Sequence, residues 1–367
     1  MGEGPAMAGT RRRPKGRARY YAAIAVATVT GAALAAGATV ASADAAPTTA
    51  RSVTAPASPA GSWYVAPQTA TPIKHLVVIF DENISFDHYF GTYPYAANTD
   101  GNPFRATPGT PKVNGLYRSI NSKGPTGPLL TSNPNTGADG QPANPTRLTY
   151  SQALTCDQDH GYTAEQEAFN GGAMDKFVQF TNNSSCSPPN YSAPNLVKSA
   201  AYQDGHAGYS DPLDEQNFLV NTINAIEESP FWKSTAIVVT YDDSDGWYDH
   251  QVSTIVNGSN TSADAAICTP VATVLGTYPD RCGYGPRLPL LMISPYTRTN
   301  YVSDNLTDQS SVVKFIEDNW LGGRRIDRGS FDAIAGSLDA KRGVLDFKKP
   351  HFDPVILDPN TGEVVRS

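Results

Sequence analysis

The sequence predicts an α/β fold, a layered and mainly parallel sheet flanked by helices. Three observations lead there. Residues 73–80 and 235–241 are short, nearly continuous apolar runs rich in β-branched residues, the look of strands buried on both faces. Residues 288–293 form a third run of the same kind. Segments with apolar residues at helical spacing lie between and after these runs, the alternation expected when helices pack on a sheet.

The elements follow in chain order. Arg11, Arg12, Arg13, Lys15, Arg17 and Arg19 precede an Ala-rich apolar run, residues 20–40, and then Ala41-Ser42-Ala43. That order reads as an export signal over 1–43 with an A-x-A cleavage site. An uncleaved membrane anchor is the alternative, since about 20 apolar residues span a bilayer. Residues 44–70, rich in Ala, Pro, Thr and Ser, read as a flexible linker. A single domain is then expected over 71–367. The strand at 73–80 opens it. Residues 91–150 are full of Pro, Gly, Asn and Thr and read as a long irregular excursion. Phe218, Leu219, Ile223 and Ile226 mark a helix over about 214–228, and Val312, Val313, Phe315, Ile316 and Trp320 mark another over 310–320.

Charge narrows the function classes. The chain carries −7 overall, and residues 1–43 carry +5, so the expected mature part is near −12. An acidic surface argues against nucleic-acid binding, which needs basic patches. After signal cleavage no membrane span is expected. The four cysteines, Cys156, Cys186, Cys268 and Cys282, show no CxxC spacing. In an oxidising compartment the sequential pairs 156–186 and 268–282 are the simplest of three connectivities.

Two strands end in dense polar clusters. The first is followed by Asp81-Glu82-Asn83-Ile84-Ser85-Phe86-Asp87-His88, the second by Asp242-Asp243-Ser244-Asp245-Gly246-Trp247-Tyr248-Asp249-His250. Ligands of α/β sheets sit beyond the carboxyl ends of the strands. If the two strands are parallel neighbours, the clusters meet there and surround a hard divalent cation with oxygens. Crowded carboxylates repel one another, and a cation relieves that cost. Asp243-Ser244-Asp245-Gly246 has the outline of a calcium loop. Tyr241 stands at its first ligand position and the bidentate Glu is missing, so an EF-hand is excluded. Three histidines lie near acidic or glycine-rich stretches: His160, His206 and His250. Glycines on both sides of His206 permit close approach to a ligand, where an imidazole binds phosphate or protonates a leaving group.

Asp81-Glu82-Asn83-Ile84-Ser85-Phe86-Asp87-His88-Tyr89-Phe90-Gly91 resembles the opening motif of the bacterial phosphoesterase family of phospholipases C and acid phosphatases. Gly171-Gly172-Ala173-Met174-Asp175-Lys176-Phe177, then the stretches 204–212, 241–250, 283–295 and 307–320, are similar to its later landmarks in order. The resemblance covers residues 71–335. It implies an alkaline phosphatase-like fold and hydrolysis of phosphoric esters, phospholipids among the substrates. It also implies a divalent metal of unknown identity on Glu82, Asn83, Asp242 and Asp243, with His160 and His206 lining the phosphate pocket. The family's acidic pair is commonly Asp-Glu, and here it is Asp-Asp. The larger departure lies between Met174 and Asp204. The family's long middle section, with a Gly-Pro-Ser/Thr nucleophile, has no counterpart there, and the sequence reads as shortened near Val197-Lys198. Two other functions therefore stand beside the hydrolase: a metal-binding relic with impaired catalysis, and a cell-surface binding protein using its Pro/Gly-rich loops.

Overall fold

The computed structural model describes residues 68–95, 106–149, 152–182, 203–256, 283–327, 329–339 and 343–367. The expected export signal, its alternative as an anchor, most of the linker and the shortened stretch near 197–198 lie outside the described residues. Cys156 carries no free thiol. The other three cysteines lie outside the described residues, so the pairings stay expectations.

In chain order the elements are β1 (His75–Asp81), α1 (Phe86–Phe90), β2 (Ser119–Asn121), β3 (Gly124–Thr126), α2 (Pro128–Thr131), α3 (Tyr162–Phe169), α4 (Phe177–Phe180), α5 (Pro212–Glu227), β4 (Thr235–Tyr241), β5 (Leu290–Ile293), α6 (Ser310–Trp320), α7 (Phe331–Ile334), β6 (Ile356–Leu357) and β7 (Val364–Arg366). The central sheet has the order β1-β4-β5. β1 and β4 run parallel, from His75 opposite Thr235 to Asp81 opposite Tyr241. This register brings the two polar clusters out side by side, and Asp242 N–H donates to Asp81 O at 3.1 Å.

The third strand departs from the parallel expectation. β5 pairs antiparallel with β4, with Ile293 opposite Ile237 and Leu290 opposite Thr240. Among the described residues the sheet is therefore mixed. Strand direction follows from the path of the connection, and an apolar run carries no mark of it. The consequence for the site is direct: the chain enters β5 at the same edge where β1 and β4 end.

Helices cover both faces. Ala236 and Val238 of β4 pack with Ile73 and with Val312 and Phe315 of α6. On the other face Ile79, Ile237 and Val239 pack with Phe218, Leu219, Ile223 and Ile226 of α5. α5 starts cleanly: Asp211 caps Leu213 N–H and Asp214 N–H, and Pro212 takes the first turn, where a missing N–H costs nothing. β4 is buried along its whole length, as a central strand should be. β1 is not, with Val78 40% and Phe80 52% exposed, because it is an edge strand of the described sheet. The excursion before residue 150 holds the small β2–β3 hairpin. It is anchored by buried Asn135, which accepts from Phe177 N–H and donates to Met174 O. No helix among the described residues is long and apolar enough to cross a membrane.

Candidate functional site

Asn83 organises the junction between the clusters. It is 1% exposed and has a left-handed backbone (φ 63°), which Asn adopts more readily than most residues. The turn aims its N–H at Asp242 Oδ1 (3.0 Å). Its Nδ2 donates to His206 Nε2 (3.0 Å) and to Asp245 Oδ1 (3.1 Å). Asp242 Oδ1 also takes Asp243 N–H (2.7 Å), and Asp243 Oδ1 takes Asp245 N–H (2.8 Å). Each of these side chains thus spends one end on the fold. Asp242 Oδ2 and Asn83 Oδ1 accept from no described residue, and Asp243 Oδ2 faces His160 Nε2 at 3.9 Å. Burial and the neighbouring charge of Asp242 raise the pKa of Glu82. Burial raises that of Asp243, against a hydrogen bond from Asp245 N–H.

The two histidines differ in their partners. His160 Nδ1 lies 3.3 Å from Asp245 Oδ1 and 2.9 Å from Gln158 O. Its hydrogen bond to Asp245 pushes its pKa up to about 10, against the pull of burial, so it carries a proton. His206 Nδ1–H donates to Ala207 O (2.6 Å), which leaves Nε2 as the acceptor from Asn83; this tautomer is assigned from the partners. Tyr209 stacks on the His206 ring at 4.3 Å. The rings of His160 and His206 stand 6.3 Å apart.

All six residues expected at the site therefore gather beyond the β1 and β4 ends. Two groups of metal-ligating atoms lie within 4.8 Å of one another, Asp157–His160–Asp245 and Asp87–Asp249–His250. The carboxylates of Glu82, Asp242 and Asp243 do not converge so tightly among themselves. Among the described residues no Lys or Arg pairs with them; the cation beside Asp243 is His160. Asp87 and Asp249 are different. Arg287 Nε and Nη2 fork onto Asp249 at 2.9 and 3.1 Å, Nη2 reaches Asp87 at 3.3 Å, and His250 Nδ1 meets Asp87 Oδ2 at 2.6 Å. This cluster therefore holds a guanidinium of its own.

Residue-level sequence reasoning missed Asp245, which is 0% exposed and joins Asn83 to His160. Its position before Gly246, both with left-handed backbones, is the signal of a tight turn that aims it inward. It also missed Glu215. This buried carboxylate beneath the site takes hydrogen bonds from Tyr89 and Tyr241, and its charge adds to burial in raising the pKa of Asp81. Ser210, four residues after His206, is buried and accepts from Gly205 N–H (3.1 Å), so its oxygen serves the loop.

Comparison with known proteins gives one family. The Phosphoesterase family profile matches residues 73–193 and 189–321. The non-hemolytic phospholipase C of Pseudomonas aeruginosa is 28% identical over 177 residues, 46% of this chain and 25% of that protein. The hemolytic phospholipase C of the same organism is 28% identical over 108 residues, 29% of this chain and 14% of that protein. Phospholipase C B of Mycobacterium tuberculosis is 30% identical over 101 residues, 27% of this chain and 19% of that protein. The chain spans a quarter or less of the length of these relatives.

Proposed function

The chain belongs to the phosphoesterase family, and from that premise we propose that it is a metal-assisted hydrolase of phosphoric esters, of phospholipase C or acid phosphatase type. The observation that carries this reading is the donor set. Glu82, Asn83, Asp242 and Asp243 are all hard oxygen donors, held in place by the fold at one end of each of the last three side chains. The pKa values of Glu82 and Asp243 are raised, and none of the three carboxylates has a Lys or Arg partner among the described residues. A divalent cation suits such a set. When bound it would neutralise phosphoryl charge and acidify a nucleophile.

The chain's own groups divide the remaining work. His160 holds its proton through neutral pH, and so offers a cationic N–H to a phosphoryl oxygen or a proton to a leaving alkoxide. His206 receives the Asn83 amide, fixing which end of that amide is left for the cation, and lines the phosphate pocket beside it. Asp245 keeps both His160 and Asn83 in place. Phospholipid is one candidate ester, on the strength of the phospholipase C relatives.

A second reading has its own support. The family match falls into two blocks that meet at residues 189–193, close to Val197-Lys198, and no Gly-Pro-Ser/Thr stands between Met174 and Asp204. On this reading the chain binds metal and phosphate but lacks a positioned hydroxyl, and turns over slowly. One experiment separates the cases. The purified chain is assayed with a chromogenic phosphomonoester and a phosphocholine ester, and its metal content is measured beside that of Asp242→Asn. One divalent ion per chain, lost in the variant, supports the site. Turnover within about 1–10³ per second supports an intact enzyme, and turnover orders of magnitude lower supports the impaired one. Equal metal content in both proteins refutes the ligand set.

A further inference from the structure

An acidic side chain in the first turn of a helix ordinarily faces water near the dipole's positive end. Glu215 stands in the first turn of α5 and is 2% exposed. Two phenol hydroxyls converge on it, Tyr89 on Oε2 and Tyr241 on Oε1. It also abuts Gly205, where a Cβ would stand 2.7 Å from Glu215 Oε2. The contacts have a pattern. Tyr241 precedes Asp242, and Gly205 precedes His206. One carboxylate therefore meets the chain neighbours of two site residues that arrive on two separate segments.

We propose that Glu215 is a positioning residue that sets Asp242 and His206 relative to one another. The proposal rests on the metal-assisted reading above for what those two residues do, and on contacts alone for how they are held. A carboxylate is the side chain that answers this geometry, because it accepts at both oxygens and donates at neither. An amide at the same place offers one oxygen to two hydroxyl donors and turns an N–H group toward the other. Tyr89 or Tyr241 must then reorient, and Tyr241 carries Asp242 with it. Gly205 leaves no slack on the third side, since its φ of +81° and the close carboxylate forbid a side chain there.

The test compares full-length wild type, Glu215→Gln and the gentler Tyr89→Phe, which removes one hydroxyl and keeps the ring. Two readouts are used that a loss of stability alone would not move. The first is ¹⁵N NMR of the six histidine side chains. His206 should show a protonated Nδ1 and a bare Nε2 in wild type, and its signals should shift or broaden in Glu215→Gln while those of His250 stay. The second is Mn²⁺ affinity by titration. Loss of an outer-shell partner typically lowers metal affinity 10–100-fold, and a fall of about tenfold is expected for Glu215→Gln, with a smaller fall for Tyr89→Phe. Unmoved His206 signals together with unchanged Mn²⁺ affinity in the folded variants overturn the proposal, whatever happens to the melting temperature. If wild type binds no Mn²⁺ but His206 still moves in Glu215→Gln, the metal-assisted reading fails and the positioning role stands. If Glu215→Gln does not fold, Tyr89→Phe decides by the same two readouts.

Discussion

Replacing Arg287 by Met keeps the length of the side chain and removes its charge. The guanidinium forks onto Asp249, reaches Asp87, donates to Asn114 O at 2.9 Å and lies 4.4 Å over the Phe86 ring. The side chains of Asp87 and Asp249 are 1% and 0% exposed. Without Arg287 two buried carboxylates face each other with the His250 ring beside Asp87. Removing one partner of a buried ion pair typically costs about 3–5 kcal/mol, because the remaining charge stays desolvated. The cost should depend on pH. Burial and Asp87 already push the pKa of Asp249 up to about 6, against the pull of Arg287. Loss of the guanidinium raises it further, so at pH 5 the variant escapes part of the penalty by taking up a proton. Urea unfolding of both proteins at pH 8 and pH 5, metal-free throughout, measures this. A loss below about 1 kcal/mol at pH 8, or equal losses at both pH values, would refute the account of Arg287 as the internal counter-ion. Arg287→Lys, which keeps the charge and loses the fork, should fall between the two.

His88 lies against Trp247 with ring centroids 4.2 Å apart, and burial lowers its pKa to about 4. Its stabilising contribution is therefore full above its unfolded value of 6.5 and is lost as pH falls through about 4, a change of roughly 3 kcal/mol at 1.36 kcal/mol per unit. The stability difference between wild type and His88→Phe should shift by that amount between pH 7 and pH 4, and parallel curves would sink the idea. Gly246→Ala should cost roughly 2–3 kcal/mol. A Cβ there meets Thr181 Cβ at 2.7 Å and Asp159 O at 2.9 Å, and the φ of +68° is unfavourable for alanine. Thermal melts check it, and an unchanged midpoint would show that the turn relaxes.

Much of the frame was legible because it rests on local pattern. The strand at 235–241 and the helix at 310–320 stand in the structure at those residues; the strand is buried throughout, while in the helix Val312 and Phe315 are buried and Val313 and Ile316 are 37% exposed. The meeting of the two polar clusters followed from a parallel pairing that the β1–β4 register supplies. What was not legible depends on paths and convergence. The antiparallel entry of β5 is a property of the connection. The exposure of Phe80 depends on which strands stand beside β1, and its own side chain says nothing of that. Glu215 reads in sequence as an ordinary acidic residue in a helical first turn. Only the simultaneous arrival of Tyr89, Tyr241 and Gly205 makes it otherwise.

The opening motif does two jobs whose electrostatics run opposite ways. Its first half, Glu82 and Asn83, joins Asp242 and Asp243 in a cluster that is not balanced by Lys or Arg among the described residues. Its second half, Asp87, stands in the first turn of α1 and joins Asp249, where Arg287 pairs with both carboxylates. If both clusters served only to tie the strand ends together, the first would be expected to carry a guanidinium or ammonium beside His160, because three carboxylates gathered at a half-buried edge around one imidazolium oppose folding. The second cluster shows that this chain can build such a tie from its own residues. The imbalance of the first is therefore better explained by a charge that arrives from outside. On the proposed reading a metal ion would supply it and lower the shared repulsion felt by Glu82 and Asp243. Binding to the native state alone stabilises it by mass action. A divalent cation should accordingly raise the melting temperature of wild type in proportion to the logarithm of its concentration. It should leave that of Asp242→Asn nearly unmoved, and should raise that of Arg287→Met as it does the wild type's. Equal shifts in all three proteins would mean that the ion binds elsewhere and that the first cluster's repulsion is borne by the fold.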